Sequence, residues 1–149
     1  KVHFVIVGGG AMLAETSRYA KSLGILDHLH LPGQSSNVKA WLDMMDIFLF
    51  TSRVEGLPNV LIEAQGFGVP VVTTDAGGSR EVIIHGESGW VVEEPKVRDI
   101  SDRLLWCLNN PEWLKSASIN AIEQSRRRFN QETMIDNLLS LYGFTNKET

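Results

Sequence analysis

Cysteine is almost absent from this chain, and the absence narrows its chemistry. The one thiol, Cys107, can form no internal disulfide and cannot build a thiolate metal site alone. Its setting, Leu104-Leu105-Trp106-Cys107-Leu108, is that of a packed core thiol rather than a nucleophile. Excess positive charge is missing too. A net charge of −4 argues against nucleic acid and against an anionic membrane surface as the main ligand. No apolar run approaches the ~18 residues of a membrane span and no signal peptide is visible, so the expected location is the cytoplasm. His3, His28, His30 and His85 show no ligand spacing. His28 and His30 would share one side of a strand, with no third ligand in view. Ser52 and the other serines lack a nucleophile-elbow context, so hydrolase chemistry has no support.

Two further patterns reduce to plain structure. Gly8-Gly9-Gly10-Ala11-Met12-Leu13 sits where a dinucleotide fingerprint would sit, but the third glycine is missing. No acidic residue ends the next strand at the usual distance, so a strand-to-helix turn is the better reading. Arg126-Arg127-Arg128 reads as the cationic C-terminal end of a helix, complementing its dipole.

What is present is a chain of 149 residues with 43% hydrophobic and 21% charged content, ordinary values for one globular domain. It opens at Lys1 on a strand-like run without an initiator methionine, so the expectation is a fragment of a longer protein. Short apolar runs alternate with helical spacing from Val2 to Val92. Strands are predicted over 2–7, 28–31, 47–50, 71–73 and 90–92. Helices are predicted over 11–23, 38–45, 58–67 and through Glu81-Val82-Ile83, with Pro32-Gly33, Gly68 and Pro70 as breakers. This alternation is the signature of a doubly wound parallel α/β sheet. The unbroken apolar strands imply helices on both faces. From about Val97 the pattern is helical only, with helices near 113–127 and 133–142. Residues 1–149 are read as a single domain.

The candidate site is the stretch Thr51-Ser52-Arg53-Val54-Glu55-Gly56-Leu57-Pro58-Asn59-Val60-Leu61-Ile62-Glu63-Ala64. Proline suits the first helical position, so a helix is expected from Pro58 with Glu55 in the loop before it. Glu63 then lies roughly 6 Å along the axis from Asn59, at ~1.5 Å per residue. A helix N-terminus offers free N–H groups and a positive dipole end to a phosphate, while carboxylates accept hydrogen bonds from hydroxyls. The dipole alone accounts for one glutamate near a helix start. It does not account for Glu63, which falls among Leu61, Ile62 and Ala64 and is expected to be partly buried. Ligands of open α/β sheets bind beyond the carboxyl ends of the strands, where the Glu55 loop, Gly33-Gln34 and Gly77-Gly78 all fall.

These residues carry a resemblance to a known family. Ser52, Glu55-Gly56-Leu57-Pro58, Leu61-Ile62-Glu63-Ala64, Gly68-Val69-Pro70-Val71-Val72, Gly77-Gly78, Glu81-Val82 and Gly86 to Val91 follow its order and spacing. Val5 to Gly10 and Leu31 to Gly33 match two earlier strand ends. The sequence resembles the C-terminal domain of retaining GT-B glycosyltransferases of the glycosyl transferases group 1 family, over nearly its whole length. The resemblance implies a Rossmann-like half of a GT-B fold, with about five strands and C-terminal helices, and a nucleotide-diphosphate sugar as donor. It implies that Glu63 binds the ribose and that Glu55, the catalytic candidate, holds a hydroxyl of the transferred sugar. Backbone N–H groups of Gly56 and Leu57 would reach the sugar, and those of Asn59 and Val60 the diphosphate. Gly33 and Gln34 would face the base, with Val38 nearby.

Transfer with retention, no metal and no other cofactor are implied, in bacterial capsular or lipopolysaccharide synthesis. The implied partners are the nucleotide sugar and an N-terminal acceptor-binding domain, the half that would carry any membrane association. The family's diphosphate-binding Arg and Lys and its central first strand lie ahead of the part seen here. Arg53 is too close to Glu55 to be assumed a substitute, and the fragment alone is expected to be inactive. Gln65-Gly66 replaces the small or apolar pair usual after the second glutamate. Two other functions stay open at this point. One is a sugar-nucleotide epimerase or phosphorylase on the same fold, and the other a non-catalytic nucleotide-sugar-binding module.

Overall fold

A computed structural model describes residues 1–94 and 96–144. The chain divides into two compact units, one from Lys1 to Trp41 and one from Leu42 onward. Among the described residues five strands fall into two sheets, β1-β2 and β3-β4-β5, and within each sheet neighbouring strands pair in parallel.

In the first unit, β1 (Phe4–Val7) pairs with β2 (Leu29–Gly33), and α1 (Leu13–Ser22) with a 3-10 turn at Leu26–His28 makes the crossover. The sequence reading of a strand buried on both faces is corrected here. Phe4 and Ile6 are 45% and 49% exposed while Val5 and Val7 are half-buried. One face of β1 is therefore covered and the other is not, which four residues are too few to show as alternation. β2 also runs on through Pro32-Gly33, the dipeptide expected to end it. Among the described residues β2 pairs with β1 alone, and proline is tolerated where a strand needs no donor on its free side.

Three of the histidines pack against one another in this unit. Register sets Phe4 against Leu29 and Val5 against His30, which carries His3 to the same face as His28 and His30. The His3 ring lies 5.1 Å from that of His28 and 5.3 Å from that of His30, with its Nδ1 at 3.1 Å from His30 Nε2. No group of three that could hold a metal ion occurs among the described residues. Water displaced by this packing, then the charges of His28, His30 and Lys1, hold the His3 imidazole below its ordinary value. A base depressed in the folded state binds its proton more readily when unfolded. Its stabilisation is complete above about pH 6.5 and declines as pH falls below that value. Thermal melts should therefore show a small loss of stability between pH 7.5 and 5.5. The loss should shrink in His3→Gln; an unchanged pH dependence would remove His3 as its source.

In the second unit, β3 (Phe48–Phe50), α3 (Asn59–Gly66), β4 (Val71–Thr74), α4 (Ser79–Val82) and β5 (Gly89–Val92) form two successive βαβ crossovers. β4 is the middle strand and is buried along its whole length, its two valines apolar and its two threonine hydroxyls each satisfied by a backbone carbonyl. Leu61 and Ala64 of α3 pack with Val69, Val71, Val82, Ile83 and Val91 to form the core, and Leu42 joins them from α2 (Val38–Leu42). The chain then turns helical with α5 (Val97–Leu108), α6 (Pro111–Arg128) and α7 (Gln131–Leu141). α6 packs on α3, and Gly68 makes that approach close. A Cβ there would lie 2.9 Å from both Ile122 Cδ1 and Ser118 Oγ. Arg126, Arg127 and Arg128 do close α6, at the end its dipole favours. Among the described residues no helix is long and apolar enough to cross a membrane.

Candidate functional site: the loop between β3 and α3

The carboxyl end of β3 leads directly into the Thr51–Pro58 loop, and α3 follows one residue later than the proline suggests. Pro58 occupies the cap position with extended backbone (φ −76°, ψ 103°), and Asn59 is the first helical residue. The cap carries no side-chain hydrogen bond and the first turn no acidic residue. Leu61 N–H bonds to the Pro58 carbonyl at 3.0 Å, but the N–H groups of Asn59 and Val60 have no intrahelical acceptor. Upstream, the N–H groups of Gly56 and Leu57 have no acceptor among the described residues either. Four of five successive residues thus offer unpaired donors around one helix start, and the fifth, Pro58, has no N–H.

Glu55 is half-buried at the edge of this donor set, and its carboxylate is already held. Ser52 Oγ donates to Glu55 Oε1 at 2.7 Å. The hydroxyl of Thr74, at the end of β4, donates to the Ser52 carbonyl. Glu63 departs from expectation, because it is exposed rather than partly buried. α3 turns Leu61, Ala64 and Gln65 to the core, which puts Glu63 on the opposite side. Among the described residues it makes no salt bridge and no side-chain hydrogen bond. Gln65 is fully buried instead, and its amide spans the carbonyls of Val69 and Ser88 at 3.3 and 3.1 Å.

The second carboxyl-end loop, after β4, closes against the first. Gly78 N–H bonds to the Gly56 carbonyl at 2.7 Å. Gly77 has φ +59°, a left-handed conformation that favours glycine, and a Cβ there would fall 2.0 Å from the Glu55 carbonyl oxygen. At Gly78 a Cβ would come within 2.6 Å of the Gly56 carbonyl oxygen. Sequence placed both glycines at a strand end. Their backbone contact with residues 55–57 joins positions far apart in the chain, and no local signal reports it. Arg80, in α4 just after this loop, bridges Asp75 and Glu93 at 2.9 Å each, which raises its pKa. Arg53 is exposed and has no ion pair among the described residues.

In the first unit Gly33 ends β2 with φ +82°, and its carbonyl accepts from Gly8 N–H at 2.9 Å. Gln34 and Val38 are exposed. Cys107 is fully buried, and burial pushes its thiol up to about 11, so it stays protonated at neutral pH as a core residue should.

Parallel βαβ crossovers with a donor-lined helix start at the strand ends define a Rossmann-like α/β domain, the class to which the GT-B glycosyltransferases belong. Residues 1–124 match the family described as "Glycosyl transferases group 1", and the chain belongs to that family. It is 50% identical over 91 residues to "Vi polysaccharide biosynthesis protein VipC/TviE" of Salmonella typhi, covering 61% of this chain and 16% of that protein. It is 30% identical over 138 residues to "N-acetyl-alpha-D-glucosaminyl L-malate synthase" of Bacillus anthracis, covering 93% of this chain and 36% of that protein. The crystal structure of Anabaena Alr3699/HepE in complex with UDP superposes with a TM-score of 0.89 at 21% identity, covering 95% of this chain and 41% of that one. The chain thus spans well under half the length of each of these three proteins.

Proposed function

We propose that this chain is the donor-binding part of a longer glycosyltransferase that moves a sugar from a nucleotide-diphosphate sugar to an acceptor with retention. Bacterial surface polysaccharide synthesis is the proposed setting, following the names of its relatives. The observation that carries this reading is the run of unpaired N–H groups at Gly56, Leu57, Asn59 and Val60 beside a pre-set carboxylate. Such donors favour an anion, and they cost no reorganisation when the departing diphosphate gains charge. Asn59 and Val60 are assigned the diphosphate, and Gly56 and Leu57 the sugar. Glu63, with no side-chain partner among the described residues, accepts from the ribose hydroxyls. Glu55 is assigned a hydroxyl of the transferred sugar, a holding role favoured over steadying developing positive charge. Gly33, Gln34 and Val38 are assigned the base on the family resemblance alone. The donor set supplies the charge stabilisation a metal would otherwise supply, so no metal is required.

The test uses the longer protein with UDP-glucose, UDP-N-acetylglucosamine and GDP-mannose, following the sugar first released to water by NMR. The expected result is turnover of one donor, with the new sugar initially in the donor's own anomeric configuration and the rate unchanged by EDTA. Inverted product would overturn retention. Binding without turnover would favour a non-catalytic nucleotide-sugar module. The isolated 149 residues are expected to turn over none of the three.

A further inference from the structure

We propose that Thr74 is a positioning residue for Glu55, acting through Ser52, and that this strut sets how firmly the sugar half of the donor is gripped. The inference rests on the donor-site reading above. Thr74 ends β4, is 4% exposed, and is anchored in the fully buried central strand of its sheet. Its neighbour Thr73 satisfies its hydroxyl locally, on the Thr74 carbonyl at 3.0 Å. Thr74 instead reaches 22 residues back along the chain to the Ser52 carbonyl. A buried hydroxyl needs a partner, and this one has taken the backbone of the site loop.

The geometry then continues in one direction. Register sets Phe50 against Thr73, so Thr74 meets the chain just after β3 ends. Fixing the Ser52 backbone fixes where its Oγ points, and that Oγ donates to Glu55 Oε1 at 2.7 Å. The other end of the loop is pinned independently, by Gly78 N–H on the Gly56 carbonyl. Glu55 is therefore held from both sides. Among the described residues, the Thr74 side is the one that reaches its carboxylate, through Ser52.

The test compares Thr74→Val, which keeps the shape and loses the hydroxyl, with Thr74→Ser, which keeps the hydroxyl. Both are made in the longer protein and titrated with UDP and with UDP-glucose. Thr74→Val should weaken UDP-glucose by about 2- to 10-fold, the loss of one hydrogen bond, and leave UDP unchanged. Thr74→Ser should restore UDP-glucose. If UDP and UDP-glucose weaken together, or if Thr74→Ser fails as Thr74→Val does, the residue is merely structural and the proposal falls. A ligand-free readout keeps the two readings separate. The Glu55 side-chain signals in carbon-13 NMR, assigned with Glu55→Gln, should be distinct in the wild type and averaged in Thr74→Val. If the wild type binds neither UDP nor UDP-glucose, the choice of donor is wrong and the Glu55 signals alone decide the strut. Unchanged signals in Thr74→Val would overturn it.

Discussion

Gly77→Ala should cost the second unit roughly 2–5 kcal/mol of stability and displace the Glu55 loop. Two separate penalties add. Alanine at φ +59° pays about 1–2 kcal/mol for the left-handed conformation. Its Cβ would also stand 2.0 Å from the Glu55 carbonyl oxygen, which is backbone and cannot swing aside. Overpacking of that kind costs typically 1–3 kcal/mol. Gly86 separates the terms, because it has φ +87° but its nearest atoms would lie 3.8 and 3.9 Å from a Cβ. Gly86→Ala should pay the conformational penalty alone. Denaturant melts of both variants check the difference, and equal losses would mean that the contact with Glu55 contributes nothing.

Much of this architecture was legible because it is local. Val71-Val72-Thr73 reads as a buried strand and is one, and the Gly68 and Pro70 breaks before it hold. The helical run after Val97 shows its period over enough residues to be unambiguous. β1 was misread because four apolar residues cannot reveal which of two faces is covered. Glu63 was misplaced for a related reason. Its neighbours Leu61, Ile62 and Ala64 are apolar, but a helix turns successive residues by about 100°, so apolar neighbours in sequence do not imply an apolar side.

The site was legible in part. A proline at a helix start announces unpaired N–H groups without any tertiary information, although the helix begins at Asn59 rather than Pro58. The links that hold the loop are of another kind. Thr74 to Ser52, Gly78 to Gly56 and the Gly77 approach to Glu55 all depend on β3 and β4 being neighbours in register. So does the meeting of His3 with His28 and His30, through β1 and β2. A strand's sequence states that it is a strand; it does not state which residue of another strand it will face.

Glu63→Ala is the variant that separates binding from folding most cleanly. The side chain is exposed and lacks an ion pair or hydrogen bond among the described residues, so its removal should change stability by no more than about 0.5 kcal/mol. If it accepts from the ribose, the loss is that of hydrogen bonds to a charged group, about 1.5–3 kcal/mol, or roughly 10- to 100-fold in affinity. Gln65, two residues on and buried, should behave in the opposite way, because truncating it strands the carbonyls of Val69 and Ser88. The decisive measurement is calorimetric titration of the longer protein, wild type and Glu63→Ala, with a panel of nucleotide sugars. The account predicts that one nucleotide sugar binds the wild type and that its affinity falls at least 10-fold in a variant with an unchanged melting temperature. Equal affinity in the two proteins would contradict it.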